Sequence, residues 1–222
     1  MLVKNDDGEA ARPSAAAGRP DQAVSRRDII LREAAALFAA QGVAATTVRQ
    51  IAEAAGVLSG SLYHHFPAKE VMVQDIVLGY LDDLHGRYQA LRELDADPVN
   101  RLRQLVLISV QTATDHPHAV EIYQNESGVL RTVPRNEHVS ELAQEVHQFW
   151  AEVIRAGVDA GELRSDVSAR LFHRLIRDAV WLSPRWYRPS DGYPPAKLAD
   201  DLLAVFLDGF SARFAENRRT DT

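Results

Sequence analysis

The chain has 222 residues, 46% of them hydrophobic and 25% charged, an ordinary globular composition with room for one large core and a small appended module. It contains no cysteine, which excludes disulfides, thiolate metal sites and thiol nucleophiles; no stretch reaches the ~20 apolar residues of a membrane span and no secretion signal precedes residue 30, so the cytoplasm is the expected compartment. The formal charge is −6, yet residues 12–69 hold Arg12, Arg19, Arg26, Arg27, Arg32, Arg49 and Lys69 against only Asp21, Asp28, Glu33 and Glu53, so any attraction for a polyanion belongs to the N-terminal part.

Residues 1–23, rich in Ala, Pro, Gly and charge without a sustained apolar period, are expected to form a flexible arm. Helix signals then follow one another and no segment alternates with period two, so the pattern predicts an all-α protein of about nine helices. A first helix is expected over about 25–40, with Ile30, Ala34, Leu37 and Phe38 on one face and Gly42 just past its end. A second opens at Thr46 or Thr47, either of which can cap free amides, turns Val48, Ile51, Ala52 and Ala55 to one side, and ends at Gly56. A short third covers 59–65 before Pro67, and a long fourth runs from Lys69 to about Leu94. Pro98 starts a fifth that ends near Asp115, and His116-Pro117 marks the break into a sixth reaching Leu130. A seventh is expected from Asn136 to Ala160 with Gly161 as its stop. An eighth spans Val167 to Leu182 before Ser183-Pro184, and after an aromatic, proline-rich loop a last helix runs from Pro195 to about Ala215.

Residues 24–70 have the layout of a helix-turn-helix. The apolar face of the second helix is expected to pack on the first and on Val57, Leu62 and Phe66, with Ala52 and Ala55 small enough for close approach and Gly56 supplying the turn. Ser59, Gly60, Ser61, Tyr63 and His64 then point outward from the third helix. Small side chains let a helix sink into the major groove, while hydroxyls and an imidazole reach phosphates or base edges. Lys69, at the start of the fourth helix, adds its charge to the positive end of the helix dipole and so makes an anion grip. His64 and His65 point ~100° apart on a helix, which argues against a shared metal, and His65 is expected to pack inward. Two positions stay open: Tyr63 is either a phosphate contact or a partly buried core ring, and Arg49 either faces DNA or is a solvated helix charge.

The run Thr47, Ile51-Ala52, Ala55-Gly56-Val57, Gly60, Leu62-Tyr63, His65-Phe66 and Lys69-Glu70 resembles the signature of the TetR family of bacterial repressors, over residues 26–72. The chain departs from it at Leu58, where the family usually has Ser or a similar cap, so that Ser59 is expected to cap the third helix one residue late. The resemblance implies that Thr47, Tyr63, His64 and Lys69 hold phosphates of double-stranded operator DNA and that Arg49 and Ser59 to Ser61 lie nearest the bases. Arg12 or Arg19 in the arm either reaches a minor groove or belongs to an inert tail.

Residues 71–222 are expected to sense a ligand and form a homodimer, since two-fold pairs reading half-sites about one turn apart are the usual solution. The resemblance places the dimer face on the last two long helices. Leu198, Leu202, Val205, Phe206, Gly209 and Phe210 form a matching stripe, which intrachain packing would explain equally. Arg177 and Trp181, four apart, share a face and can receive an anionic, lipophilic molecule, although a cation–π contact at the dimer interface is the alternative. Gln124, Asn125 and Glu126, Phe149 and Trp150, and Trp186 and Tyr187 are further pocket candidates. Residues 57–66 with 177–181 are similar to one branch of the family, repressors of sterol ring degradation, which implies a coenzyme A thioester of a steroid fragment as effector. No cofactor or metal is expected. An acyl-thioester enzyme is the other class considered, but no Ser elbow or Glu-x-x-His pair is present, and turn chemistry accounts for His116-Pro117-His118. A regulator that works without ligand is the third reading.

Overall fold

The computed structural model describes residues 25–131 and 136–210. The arm, with Arg12 and Arg19, and the expected end of the last helix lie outside the described residues. Those described form ten α-helices, one 3-10 turn and no strand beyond a single bridge between Ser190 and Tyr193. The helices are α1 Arg26–Gln41, α2 Val48–Ala54, α3 Ser59–His65, α4 Lys69–Arg92, α5 Pro98–Asp115, α6 Pro117–Asn125, α7 Ser127–Leu130, α8 Asn136–Asp159, α9 Ala169–Trp181 and α10 Pro195–Phe210, with the 3-10 turn Ser183–Arg185 after α9.

The ends of these helices are written locally. Ser25 accepts the Asp28 amide while the Asp28 carboxylate takes the Ser25 amide, and Thr47 and Gln50 repeat this reciprocal cap at α2. Thr46, the other candidate cap, is buried and donates instead to the carbonyl of Gly42 at 2.8 Å. Asp97 caps α5, with Pro98 in its first turn where the missing amide costs nothing. Gly42, Gly56 and Gly161 turn the chain at positive φ after α1, α2 and α8.

One predicted element is corrected. The sixth helix does not reach Leu130, because Glu126 leaves helical geometry at φ −107° and ψ 30°, and the short α7 follows. The break has a tertiary cause: the Glu126 carboxylate is drawn to the backbone of the α1–α2 loop, where it accepts the Val43 amide at 3.0 Å.

Helix α4 runs from the N-terminal trihelical unit into the rear bundle, where it packs on α5, α6 and α8. At its start Arg27 of α1 bonds Asp75 at 2.6 Å and lies over the Phe66 ring, tying α1 to α4. Deeper in the bundle the indole N–H of the fully buried Trp150 donates to Tyr88 Oη at 2.9 Å, and Ser109 Oγ, 2.5 Å from Tyr88, donates to the Leu105 carbonyl. Since the serine proton is committed to that carbonyl, the tyrosine proton goes to the serine, and three helices share one satisfied polar chain.

Helix α10 packs mainly on α5, so Leu198 is intrachain core and Phe206 meets Phe172 of α9 edge to face. The stripe expected to make the dimer face therefore divides: Leu198 turns inward, while Val205 is 73% exposed. Gly209 and Phe210 lie outside the described side chains. Exposed leucines at 171, 175 and 182 follow helical spacing along and just past α9.

Candidate functional site

Helix α3 is held by a single fully buried anchor, Leu62, which leaves most of the rest of its surface to solvent. Ser59, Gly60, His64 and His65 are exposed, Tyr63 is 55% exposed, and Ser61 is half-buried. Tyr63 is thus no core ring, and His65, expected inside, is turned out because the helix has room for one inward side chain per turn and Leu62 and Phe66 fill it. Ser59 does not cap the helix: Leu58 stands at the N-cap with no side-chain bond, and its apolar side chain is 82% exposed. Thr47 is exposed at the start of α2. Arg49 is exposed beside it and pairs with Glu53 one turn on at 2.8 Å, which raises its pKa. A pair this open to water holds the guanidinium only weakly.

Lys69 departs from its expected role. Its ammonium donates to the carbonyls of Val43 at 2.7 Å, Thr46 at 3.2 Å and Ala44 at 3.4 Å. Three lone pairs saturate its three donors, so it closes the α1–α2 loop against α4 and has no proton to spare for a phosphate.

In the rear bundle three adjoining clefts run along α8, the first between α6, α7 and α8 and the other two on the seam between α8 and α9. The first, about 470 Å³, is lined by Tyr123, Leu130, Arg131, Val139, Ala143 and His147 among others. The middle one, about 560 Å³, is polar and cationic, lined by Gln144, His147, Gln148, Arg170, His173, Arg174 and Arg177. The third, about 310 Å³, is mostly apolar and shares Arg170 and His173 with the middle one. Arg177 lies 5.4 Å over the Trp181 ring and bonds Asp178 at 2.8 Å. The Gln124 amide donates to the Trp181 carbonyl, so the end of α6 is tied to the end of α9.

An N-terminal trihelical unit with a bare, polar third helix, joined by one long helix to a bundle with a cationic seam, agrees with the comparisons. The pattern of bacterial regulatory proteins of the tetR family matches residues 30–76, and that of the tetracyclin repressor-like C-terminal domain matches residues 95–210. The chain belongs to the TetR family. The HTH-type transcriptional repressor KstR2 of Mycolicibacterium smegmatis is 41% identical to it over 86% of this chain and 94% of its own length. KstR2 of Rhodococcus jostii is 43% identical over 84% and 92%. The solved structure of the ketosteroid transcriptional regulator KstR2 of Mycobacterium tuberculosis superposes with a TM-score of 0.79 at 40% identity, covering 86% of this chain and 97% of its own. The protein is thus a DNA-binding transcriptional regulator of the TetR family. Among the described residues no helix is long and apolar enough to cross a membrane.

Within this TetR-family frame the expected ligand residues separate. Arg177 and Trp181 meet as expected, and Gln124 joins them. Phe149 and Trp150 do not face the seam: Phe149 packs on Tyr88 with Arg92 over its ring, and Trp150 is fully enclosed, reaching the seam only through His173 stacked on it. Their expected pocket role is corrected because α8 turns that face toward α4. Trp186, 60% exposed, sits outside the seam against Tyr187, so it too is corrected. Arg170 and Arg174, Gln144 and Gln148, and the two histidines were not singled out from sequence. The Arg170, Arg174, Arg177 spacing of four and three was a visible signal, since it places three guanidinium groups on one helix face.

Proposed function

We propose that this protein is a homodimeric, ligand-released repressor whose effector is a lipophilic anion of the acyl-CoA class carrying a steroid fragment, bound along the α8–α9 seam. The observation that carries this reading is the Arg177 guanidinium stacked on the Trp181 ring at the edge of a cationic cavity of about 560 Å³. A flat apolar surface beside a cation suits a ring system with an anionic tail. Relatives named as repressors, one of them a ketosteroid transcriptional regulator, support it.

On the DNA side Thr47, Tyr63 and His64 hold phosphates, while Arg49 and Ser59, Gly60 and Ser61 lie nearest the bases. The exposed leucines of α9 with Val205 form the dimer face, which sets the spacing of the two α3 helices. Ligand at the seam acts on that spacing through α4 and the end of α6, so the protein works by binding in the bacterial cytoplasm and not by turnover.

The test is a gel shift on DNA flanking its own gene, with steroid-fragment acyl-CoA thioesters added to wild type and to Arg177→Met. Release of DNA from the wild type, with the variant bound to DNA but unresponsive, is the expected result. Wild-type protein that stays on DNA at saturating thioester would overturn the reading and leave a regulator that works without ligand.

A further inference from the structure

The two histidines of the seam stand at its partitions. His147 lines both the first cavity and the middle one, and His173 lines both the middle one and the third. Their rings meet edge to face at 5.9 Å, with Trp181 5.5 Å from His147 and Trp150 stacked on His173 at 5.5 Å. Each keeps an unpartnered Nε2, and Trp181 Nε1 and Gln124 Oε1 beside them are also covered without a hydrogen-bond partner. Buried polar atoms are almost always paired, so four such atoms on side chains linked in a row through Trp181 and His147 mark a place where a partner is missing.

The order of chemistry along the seam says which partner. The first cavity is mostly apolar, with Tyr123, Leu130, Val139 and Ala143 in its wall beside Arg131 and Gln144, whereas the middle one is mostly polar, lined by glutamine amides and three guanidinium groups. An acyl-CoA has the same order: an apolar body, one neutral carbonyl, then amides and phosphates. His147 stands at the change from apolar to polar, where the carbonyl would lie.

Resting on the effector reading above, we propose that His147 is the group that recognises the thioester: its Nε2–H donates to the thioester carbonyl oxygen and so distinguishes an acyl thioester from a molecule of the same shape without that oxygen. The imidazole suits the task. Burial, then the nearby Arg177 charge, holds its pKa below the ordinary value, so near neutral pH it is an uncharged donor. Nε2 is covered where it stands, so donation to a ligand requires a change of χ2, which is broad for histidine.

The test compares alicyclic acyl-CoAs of one, two and four rings with their S-alkyl-CoA thioethers, which lack only the carbonyl oxygen, by calorimetry on full-length dimer. Wild type should favour the thioester by about tenfold, the size of one well-made hydrogen bond. His147→Phe, which keeps an aromatic ring beside Trp181, should bind thioester and thioether with equal affinity and so lose the preference; His147→Gln, which keeps a donor at similar reach, should restore part of it. Equal binding of thioester and thioether by wild type, or an undiminished preference in a folded His147→Phe, overturns the inference while the effector reading stands. Failure of every acyl-CoA to bind wild type overturns both.

Discussion

The Glu126 carboxylate accepts the backbone amide of Val43 at 3.0 Å, joining the end of α6 to the loop that carries the reading head. Two residues earlier in the same segment Gln124 holds the Trp181 carbonyl, and between them Asn125 accepts from Arg185 at 2.8 Å. The side chains of Gln124, Asn125 and Glu126 therefore reach both the end of α9 and the DNA-binding unit. Glu126→Ala leaves the Val43 amide unpaired, a loss of about 1 to 3 kcal/mol for a partly buried donor. Amide exchange at Val43 should quicken and operator affinity should fall, whereas Glu126→Gln, which keeps an acceptor, should resemble wild type. Unchanged exchange in the alanine variant would show that the contact couples nothing.

Lys69 is a structural clasp. Lys69→Met removes the donor from three carbonyls at once, so melting should shift down by several degrees, on the order of 1 to 3 kcal/mol. Operator binding should weaken mainly because α2 and α3 lose their support. If Lys69→Met kept wild-type stability and reduced only the salt dependence of DNA binding, the ammonium would be a phosphate contact after all.

Tyr63 presents an exposed ring on α3 and carries no core packing. Tyr63→Ala should lower operator affinity by on the order of tenfold, the scale of a lost hydrogen bond to phosphate. Its thermal midpoint should stay within about a degree, as for substitutions away from packed sites. Calorimetry of folding beside fluorescence-detected DNA titration separates the two effects.

Tyr88→Phe breaks the buried chain from Trp150 to the Leu105 carbonyl. The indole N–H then has no acceptor in a sealed site, and stability should drop by roughly 1 to 3 kcal/mol, read as a lower denaturation midpoint at unchanged slope. Ser109→Ala keeps the indole paired but orphans the Tyr88 hydroxyl proton, so its cost should be of the same order.

Burial, then His147, then Arg177 push the His173 pKa down from 6.5 to about 4, with Asp178 opposing. The unfolded chain takes up that proton as pH falls below about 6.5, while the folded chain refuses it until about 4. Over that window the unfolded state binds more protons, so the contribution of His173 to stability is complete above the window and is lost as pH falls through it. His173→Phe, which retains the stack on Trp150, should flatten this part of the acid-side decline in chemical denaturation between pH 7 and 4. An identical decline in the variant would remove His173 as its cause.

Most helix boundaries and the layout of the reading head were legible in the order of residues, because the signals that set them lie within one or two turns, although the end of α6 and the cap of α3 were not. Ser25 with Asp28, Thr47 with Gln50, Gly42, Gly56 and Pro98 act at that range. The bare face of α3 follows from helical period alone once Leu62 is taken as its anchor. Tertiary structure alone decided the rest. Phe149 and Trp150 could face a ligand or the core by period, and only the packing of α8 on α4 chose the core. Lys69 reads as an anion grip until the α1–α2 loop folds three carbonyls over it. His147 and His173 lie on different helices, and no local pattern announces that their rings meet at 5.9 Å. Period and capping are short-range, whereas a side chain's partner depends on which distant helix the fold lays beside it.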